Sequence, residues 1–260
     1  MGSTTTEAPT ESAKVHSEVK RPSWRPLMYQ LLGIAVVFGA LVAWLLTADL
    51  SETELITLAP AALIGYTIDH LVLTAVSALI VLAIAIPLGI LLTRAPLRRF
   101  TGPVLAVANI GQAAPAIGLV VLLAFAVGFG FSAAVIALVL YAILPVLRNT
   151  MVGISQVDGR LVEAGRGMGM SAVAVLFKVE LPLAVPVMLA GIRTALVLLV
   201  GTAALATFIN GGGLGILITT GVNLNLVNVL VAGSILVALL ALLVDWIGRV
   251  VEQVARPKGL

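Results

Sequence analysis

Of 260 residues, 60% are hydrophobic and 10% charged, with a mean hydropathy of +1.16 and a net charge of +3. Soluble domains carry about a quarter charged residues, so this composition excludes a soluble globular domain and marks an integral membrane protein. The absence of cysteine excludes disulfides and thiolate metal sites.

Residues 1–26 are rich in Ser, Thr, Glu and Lys, too polar to bury a core, and read as a disordered cytoplasmic tail ahead of a membrane domain over 27–260. A bilayer core about 30 Å thick needs roughly 20 apolar residues per helical crossing. Six runs approach or exceed that length, at 28–47, 71–93, 102–128, 132–147, 182–209 and 226–248, the third and fourth parted by a short glycine-rich turn. A cleaved signal peptide is the rival reading of the tail and first run; the long polar lead and the length of the run favour an uncleaved helix. The expected class is an all-α integral membrane protein with six transmembrane helices.

Lys and Arg resist translocation and gather on the cytoplasmic side. With six crossings, fourteen of the fifteen basic residues, among them Arg25, Arg94, Arg98, Arg99, Arg148, Arg160, Arg166, Lys178 and Arg249, fall in segments that share one side. Both termini are then cytoplasmic. The loop expected between the first two spans carries Asp49, Glu52, Glu54, Asp69 and His70 but no Lys or Arg, which agrees. Trp24, Trp44 and Trp246 fall near span ends and read as interfacial belt residues.

Catalytic chemistry finds no residues to carry it. There is no HExxH, and His16 in the tail and His70 in the outer loop read as solvated side chains, so no metal site and no catalytic residue are expected. Asp245 is the only acid within an expected span, near its inner end. No Gly-Lys pair exists, so a phosphate-binding P-loop is excluded and any ATP must be bound elsewhere.

One sizeable polar stretch interrupts the second half of the chain, EAGRGMGMSAVAVLFKVELP at 163–182. Asp158 is placed to cap a short helix in which Leu161, Val162, Gly165 and Met168 form an apolar stripe, with Arg160, Glu163 and Arg166 facing away. The glycines at 165, 167 and 169 allow close approach and a sharp exit, and Ser171 is placed to cap a second helix. Periodicity alone leaves two readings open: an amphipathic connector lying on the membrane, or a docking element for a cytoplasmic partner.

The same residues carry a family resemblance. Glu163-Ala164-Gly165, three residues, Gly169, nine residues, then Val179-Glu180-Leu181-Pro182 resembles the EAA motif of binding-protein-dependent ABC-importer permeases, with Gly165 in place of the second Ala and Val179 in place of Ile. NIGQAAPAIGL at 109–119, YAILPVLRNTMVGI at 141–154, ELPLAVPVMLAGIRTA at 180–195 and FINGGGLGILI at 208–218 are similar to the osmoprotectant branch, the glycine betaine, carnitine and choline permeases. The likeness covers roughly residues 60–250.

The resemblance implies a type I importer fold in which two permease subunits, each a copy or a paralogue of the other, form the pore. Two cytoplasmic ATPase subunits bind ATP and Mg, an extracytoplasmic binding protein delivers the solute, and no nucleic acid is involved. It further implies that the coupling loop at about 152–181 seats in the ATPase, through Leu161, Glu163, Ala164, Gly165, Met168, Gly169, Leu181 and Pro182. The setting it implies is a prokaryotic plasma membrane.

Three features lie outside that motif. Asn109, Gln112 and Ala116 fall at i, i+3 and i+7 of the third span, which Gly111, Pro115 and Gly118 interrupt; this face either lines a pore or glues helices together. Arg193 is the one basic residue inside a span, near enough to the inner interface to snorkel, and is expected to bond the neighbouring subunit or the coupling loop. NGGGLG, with Gly212, Gly213 and Gly215, is expected near the outer surface as part of a gate or as a flexible loop. Aromatic residues are scattered, so selectivity is expected to lie mainly in the binding protein. An importer for another small amine or amino acid and a passive osmotic channel are the alternatives.

Overall fold

The computed structural model describes residues 24–255, and every regular element in that range is helical. The tail and the last basic residues, Arg256 and Lys258, lie outside the described residues, except that Arg25 and Pro26 open the first helix. Helix α1 (Arg25–Thr47) is followed by a short α2 (Glu52–Thr57) and a long α3 (Pro60–Leu92). In α2, Ser51 Oγ accepts the Glu54 N–H while the Glu54 carboxylate accepts the Ser51 N–H at 2.9 Å, a complete capping box. That backbone hydrogen bond holds the Glu54 carboxyl below its ordinary range.

The third expected span is two helices, α4 (Thr101–Ala113) and α5 (Ala116–Val127), bent by 102° at the break. Pro115 has no N–H to continue α4 and forces Ala114 into extended backbone, with ψ of 143°, so the chain turns there. Gly128 and Gly130, both at positive φ, make the glycine turn into α6 (Phe131–Ser155). Helices α7 (Gly159–Gly167) and α8 (Ala172–Val175) follow, and a π turn at Leu176–Glu180 leads without a break into α9 (Leu181–Ala203). A 3-10 turn at Ala204–Ile209, helix α10 (Gly215–Asn223) and helix α11 (Val227–Ala255) complete the chain.

Among the described residues, five helical stretches are long and apolar enough to cross a membrane, or six if the bent pair counts as one crossing. The chain is a multi-pass membrane protein. Three boundaries depart from the sequence reading. The second span starts at Pro60, so Asp69 and His70 belong to a helix and not to a loop; the fourth runs on to Ser155, which puts Arg148 inside α6; and the sixth continues to Ala255.

Helix α6 is the spine, buried along most of its length between α3 and α9. Small residues set the spacing: a side-chain carbon on Gly191 of α9 would lie 2.7 Å from the Pro145 carbonyl oxygen of α6, closer than any real contact. Helix α1 is peripheral, with only Leu27 and Leu41 buried, and is held against α11 where Trp246 Nε1 donates to the Leu27 carbonyl at 2.9 Å. Trp246 is thus a clamp between helices as well as a residue near a span end. The starts of α1 and α9 and the ends of α3, α6 and α11 share the basic end of the bundle; α2 and α10 lie at the opposite end.

Candidate functional site: the segment between α6 and α9

At the basic end, residues 156–180 form a helix–turn–helix whose local geometry follows from its polar residues. Asp158 accepts the Arg160 N–H at 2.9 Å and caps α7, and Ser171 accepts the Ala174 N–H at 3.2 Å and caps α8. Between the caps, Gly169 takes a left-handed conformation with φ of 82°, which turns the chain back. Arg160, Glu163, Ala164 and Arg166 are exposed.

The apolar stripe divides. Val162 and Gly165 turn inward, Gly165 against Val175, Met170 and Val179, whereas Leu161 is 48% and Met168 72% exposed. The single stripe read from helical spacing is therefore two surfaces, because α7 ends at Gly167 and Met168 lies on the turn beyond it. Val173 and Phe177, 64% and 63% exposed, add to the outward apolar surface; their position in an apolar run hid them from sequence reading. Leu181 is half-buried in the cluster of Ile154, Ala184 and Met188, and Pro182 is exposed in the first turn of α9.

One pair went unread in the sequence. Glu180 is buried, and both its oxygens accept from the Arg94 guanidinium, Oε1 from Nη1 at 3.1 Å and Oε2 from Nη2. The hydrogen bonds to Glu180 raise the Arg94 pKa above its ordinary value. The one available signal was a lone acid, between Val179 and Leu181, closing an otherwise apolar run.

The proposed path residues are not one face. Asn109 and Gln112 lie half-buried on α4, whereas Pro115 caps α5 and Ala116 begins it, beyond the 102° bend. The i, i+7 relation fails because the proline ends the helix between them. Asn109 Oδ1 accepts from Arg148 Nη2 at 2.9 Å, which joins α4 to α6.

Within this chain the partners of Arg193 lie on α11 and not on the coupling segment: Asp245 Oδ1 lies at 3.1 Å and Glu252 Oε2 at 3.4 Å. Asp245 also receives Arg249 at 2.7 Å and Gln30 at 3.1 Å, so α1, α9 and α11 meet at one charged cluster. The glycine-rich turn is packed and does not hang free. Gly213, at φ of 89°, and Gly215 are buried, and Gly212 rests beside Asp69. His70, read as solvated, is fully buried above this turn: its Nε2–H donates to the Val200 carbonyl at 2.9 Å and its Nδ1 accepts the Leu214 N–H at 3.3 Å. His16 lies outside the described residues.

These helices define an all-α membrane subunit with the fold of an ABC-importer permease. Its backbone superposes on the permease of the inward-facing methionine ABC transporter MetNI with a TM-score of 0.67 and 25% identity, over 80% of this chain and 100% of that one. Residues 85–257 match the family described as binding-protein-dependent transport system inner membrane component, and the chain belongs to that family. It is 38% identical over 192 residues to the glycine betaine/carnitine/choline transport system permease protein OpuCB of Bacillus subtilis, covering 74% of this chain and 88% of that protein. It is 41% identical over 189 residues to the carnitine transport permease protein OpuCD of Listeria monocytogenes, covering 72% and 84%. It is 37% identical over 203 residues to the osmoprotectant import permease protein OsmW of Salmonella typhimurium, covering 76% and 94%.

Proposed function

We propose that this chain is the pore-forming permease subunit of an ATP-driven importer of quaternary-ammonium osmoprotectants such as glycine betaine, choline and carnitine. The observation that carries the substrate class is the 37–41% identity, over most of both chains, to permeases named for those solutes. Two cytoplasmic ATPase subunits would bind ATP and Mg, an extracytoplasmic binding protein would deliver the solute, and a second permease, a copy or a paralogue, would complete the pore. The setting is the plasma membrane of a prokaryote, with both termini and the basic end of the bundle cytoplasmic.

In this reading α7, α8 and the turn between them dock on the ATPase through Leu161, Glu163, Ala164, Gly165, Met168 and Gly169, with Leu181 and Pro182 passing the motion into α9. The outward apolar surface with charges beside it supports that assignment, since exposed Met168 and Phe177 leave apolar area for a partner to cover. ATP binding would close the paired ATPases and draw the docked segments with them, opening the pore to the other side; the two states differ in affinity for nucleotide and so can be driven. Asn109 and Gln112 remain the candidate path residues of α4, and α5 with Pro115 and Ala116 forms the other arm of the bend.

The reconstituted complex, with its binding protein and ATPase, tests this by ATP-dependent uptake of labelled glycine betaine, choline and carnitine. Uptake of any of the three, abolished by Glu163→Lys, is the expected result. ATPase activity stimulated only by some other solute would overturn the osmoprotectant assignment in favour of another amine or an amino acid. Uptake that persists without the ATPase would overturn the importer in favour of a channel.

A further inference from the structure

We infer that Arg94 and Glu180 form a strut that carries motion of the α7–α8 segment into the corner between α3 and α4. The inference rests on the coupling role proposed above for that segment, and Arg94 and Glu180 are positioning residues in it.

The chain of contacts is continuous. Gly165 of α7 packs on Val175, which immediately precedes the π turn, and on Val179, the residue before Glu180 within it. A π turn holds one residue more than an α turn, so it rotates the elements on either side by roughly 100° relative to an unbroken helix. Val175 and Val179 can thereby face α7 while Glu180, the last residue of the turn, faces Arg94. The two hydrogen bonds between guanidinium and carboxylate fix orientation as well as distance.

Arg94 sits at a corner and not within a helix. Its N–H donates to the Leu91 carbonyl at 3.0 Å, and its own carbonyl accepts the Arg98 N–H at 2.9 Å. Thr101 Oγ1, at the start of α4, donates back to the Leu92 carbonyl at 3.3 Å. The corner therefore ties the end of α3 to the first turn of α4, and α4 carries Asn109 and leads to the 102° bend at Pro115. Displacing α7 has two ways into the bundle: along the chain into α9, and across the strut into α4.

A simple surface ion pair would not serve, because solvent screening leaves it little more than a weak preference. Glu180 is only 6% exposed, and a buried carboxylate left without its partner is strongly unfavourable, so the pair stays closed while the segment moves. The two acids beside Arg193 make the contrast: that cluster joins α1, α9 and α11 within the bundle.

Because the chain has no cysteine, a purified pair-substituted subunit can be spin-labelled only at the two introduced cysteines before the complex is assembled. In the full reconstituted complex, labels at exposed Ala95 and exposed Arg160 are expected to report one narrow distance that is the same with and without ATP. Glu180→Gln is expected to broaden it at least twofold. A wild-type distance that changes with ATP would show that the corner and α7 move separately and would overturn the strut, whatever solute the complex carries. In the transport assay, Glu180→Gln is expected to raise the ATP hydrolysed per solute imported about fivefold. The exchanged pair, Arg94→Glu with Glu180→Arg, is expected to restore at least half of that loss. Uptake and hydrolysis that fall together in proportion to the amount of folded protein, with no recovery in the exchanged pair, would make the contact structural only and overturn the inference. A wild-type complex that imports none of the three osmoprotectants would instead count against the substrate assignment, and the distance measurement would still decide the strut.

Discussion

Two glycine-rich stretches, 165–169 and 210–215, have similar composition and opposite surroundings. In the first, only Gly165 is packed, Gly167 and Gly169 have open space where a side chain would go, and the charged residues beside them are exposed. In the second, a side-chain carbon on Gly215 would lie 1.9 Å from the Ala204 carbonyl oxygen, and one on Gly213 would lie 3.0 Å from His70 Nδ1. The first uses glycine to turn the backbone; the second turns it too, at Gly212 and Gly213, and also uses Gly215 to let two backbones touch. Composition cannot separate these uses, and what reads as a flexible loop at 210–215 is a packed turn for that reason.

The contrast can be broken at four positions. Gly215→Ala has the largest expected effect: the neighbour is backbone and cannot rotate away, so a loss above about 3 kcal/mol is expected, read as loss of folded protein on gel filtration in detergent. A wild-type yield and melting temperature would show that the turn has room to move. His70→Leu keeps most of the volume but strands the Val200 carbonyl and the Leu214 N–H, for an expected loss of about 2–4 kcal/mol in thermal melts. If the variant melts with the wild type, water replaces the imidazole and the site is not dry.

In the exposed stretch the effects are smaller and conformational. Gly169→Ala places a side chain at φ of 82° in open space, for an expected loss of about 1–2 kcal/mol, and Gly169→Asn should recover most of it because asparagine tolerates that conformation. Equal melting of the two variants would assign the loss to something other than backbone conformation. Gly165→Ala meets Val175 at 3.4 Å, an ordinary contact, so the gain in helix propensity should offset the crowding and leave stability within about 0.5 kcal/mol. A drop beyond about 1.5 kcal/mol would mean that α7 and α8 are packed as tightly as the turn at 210–215.

The features legible in the sequence are those whose partners lie within a helical turn. Asp158 and Ser171 cap helices as their positions implied, because each accepts a backbone N–H two or three residues away. Pro115 breaks the third span for an equally local reason, the missing N–H, although the size of the bend was not readable. The outward exposure of Val173 and Phe177 was not legible, since an apolar run looks the same whether it faces lipid, core or a partner protein.

By itself the sequence determined the class of protein, the number of apolar runs, the caps and the family motif at 163–182, since each depends on composition or on neighbours along the chain. Only the tertiary structure decided which polar groups meet inside the bundle: Arg94 with Glu180, Arg193 with Asp245, and His70 with Leu214, separated by 86, 52 and 144 residues. A buried polar group must find a partner, but which partner it finds depends on how the helices pack, and the close α6–α9 crossing at Gly191 helps to set that packing.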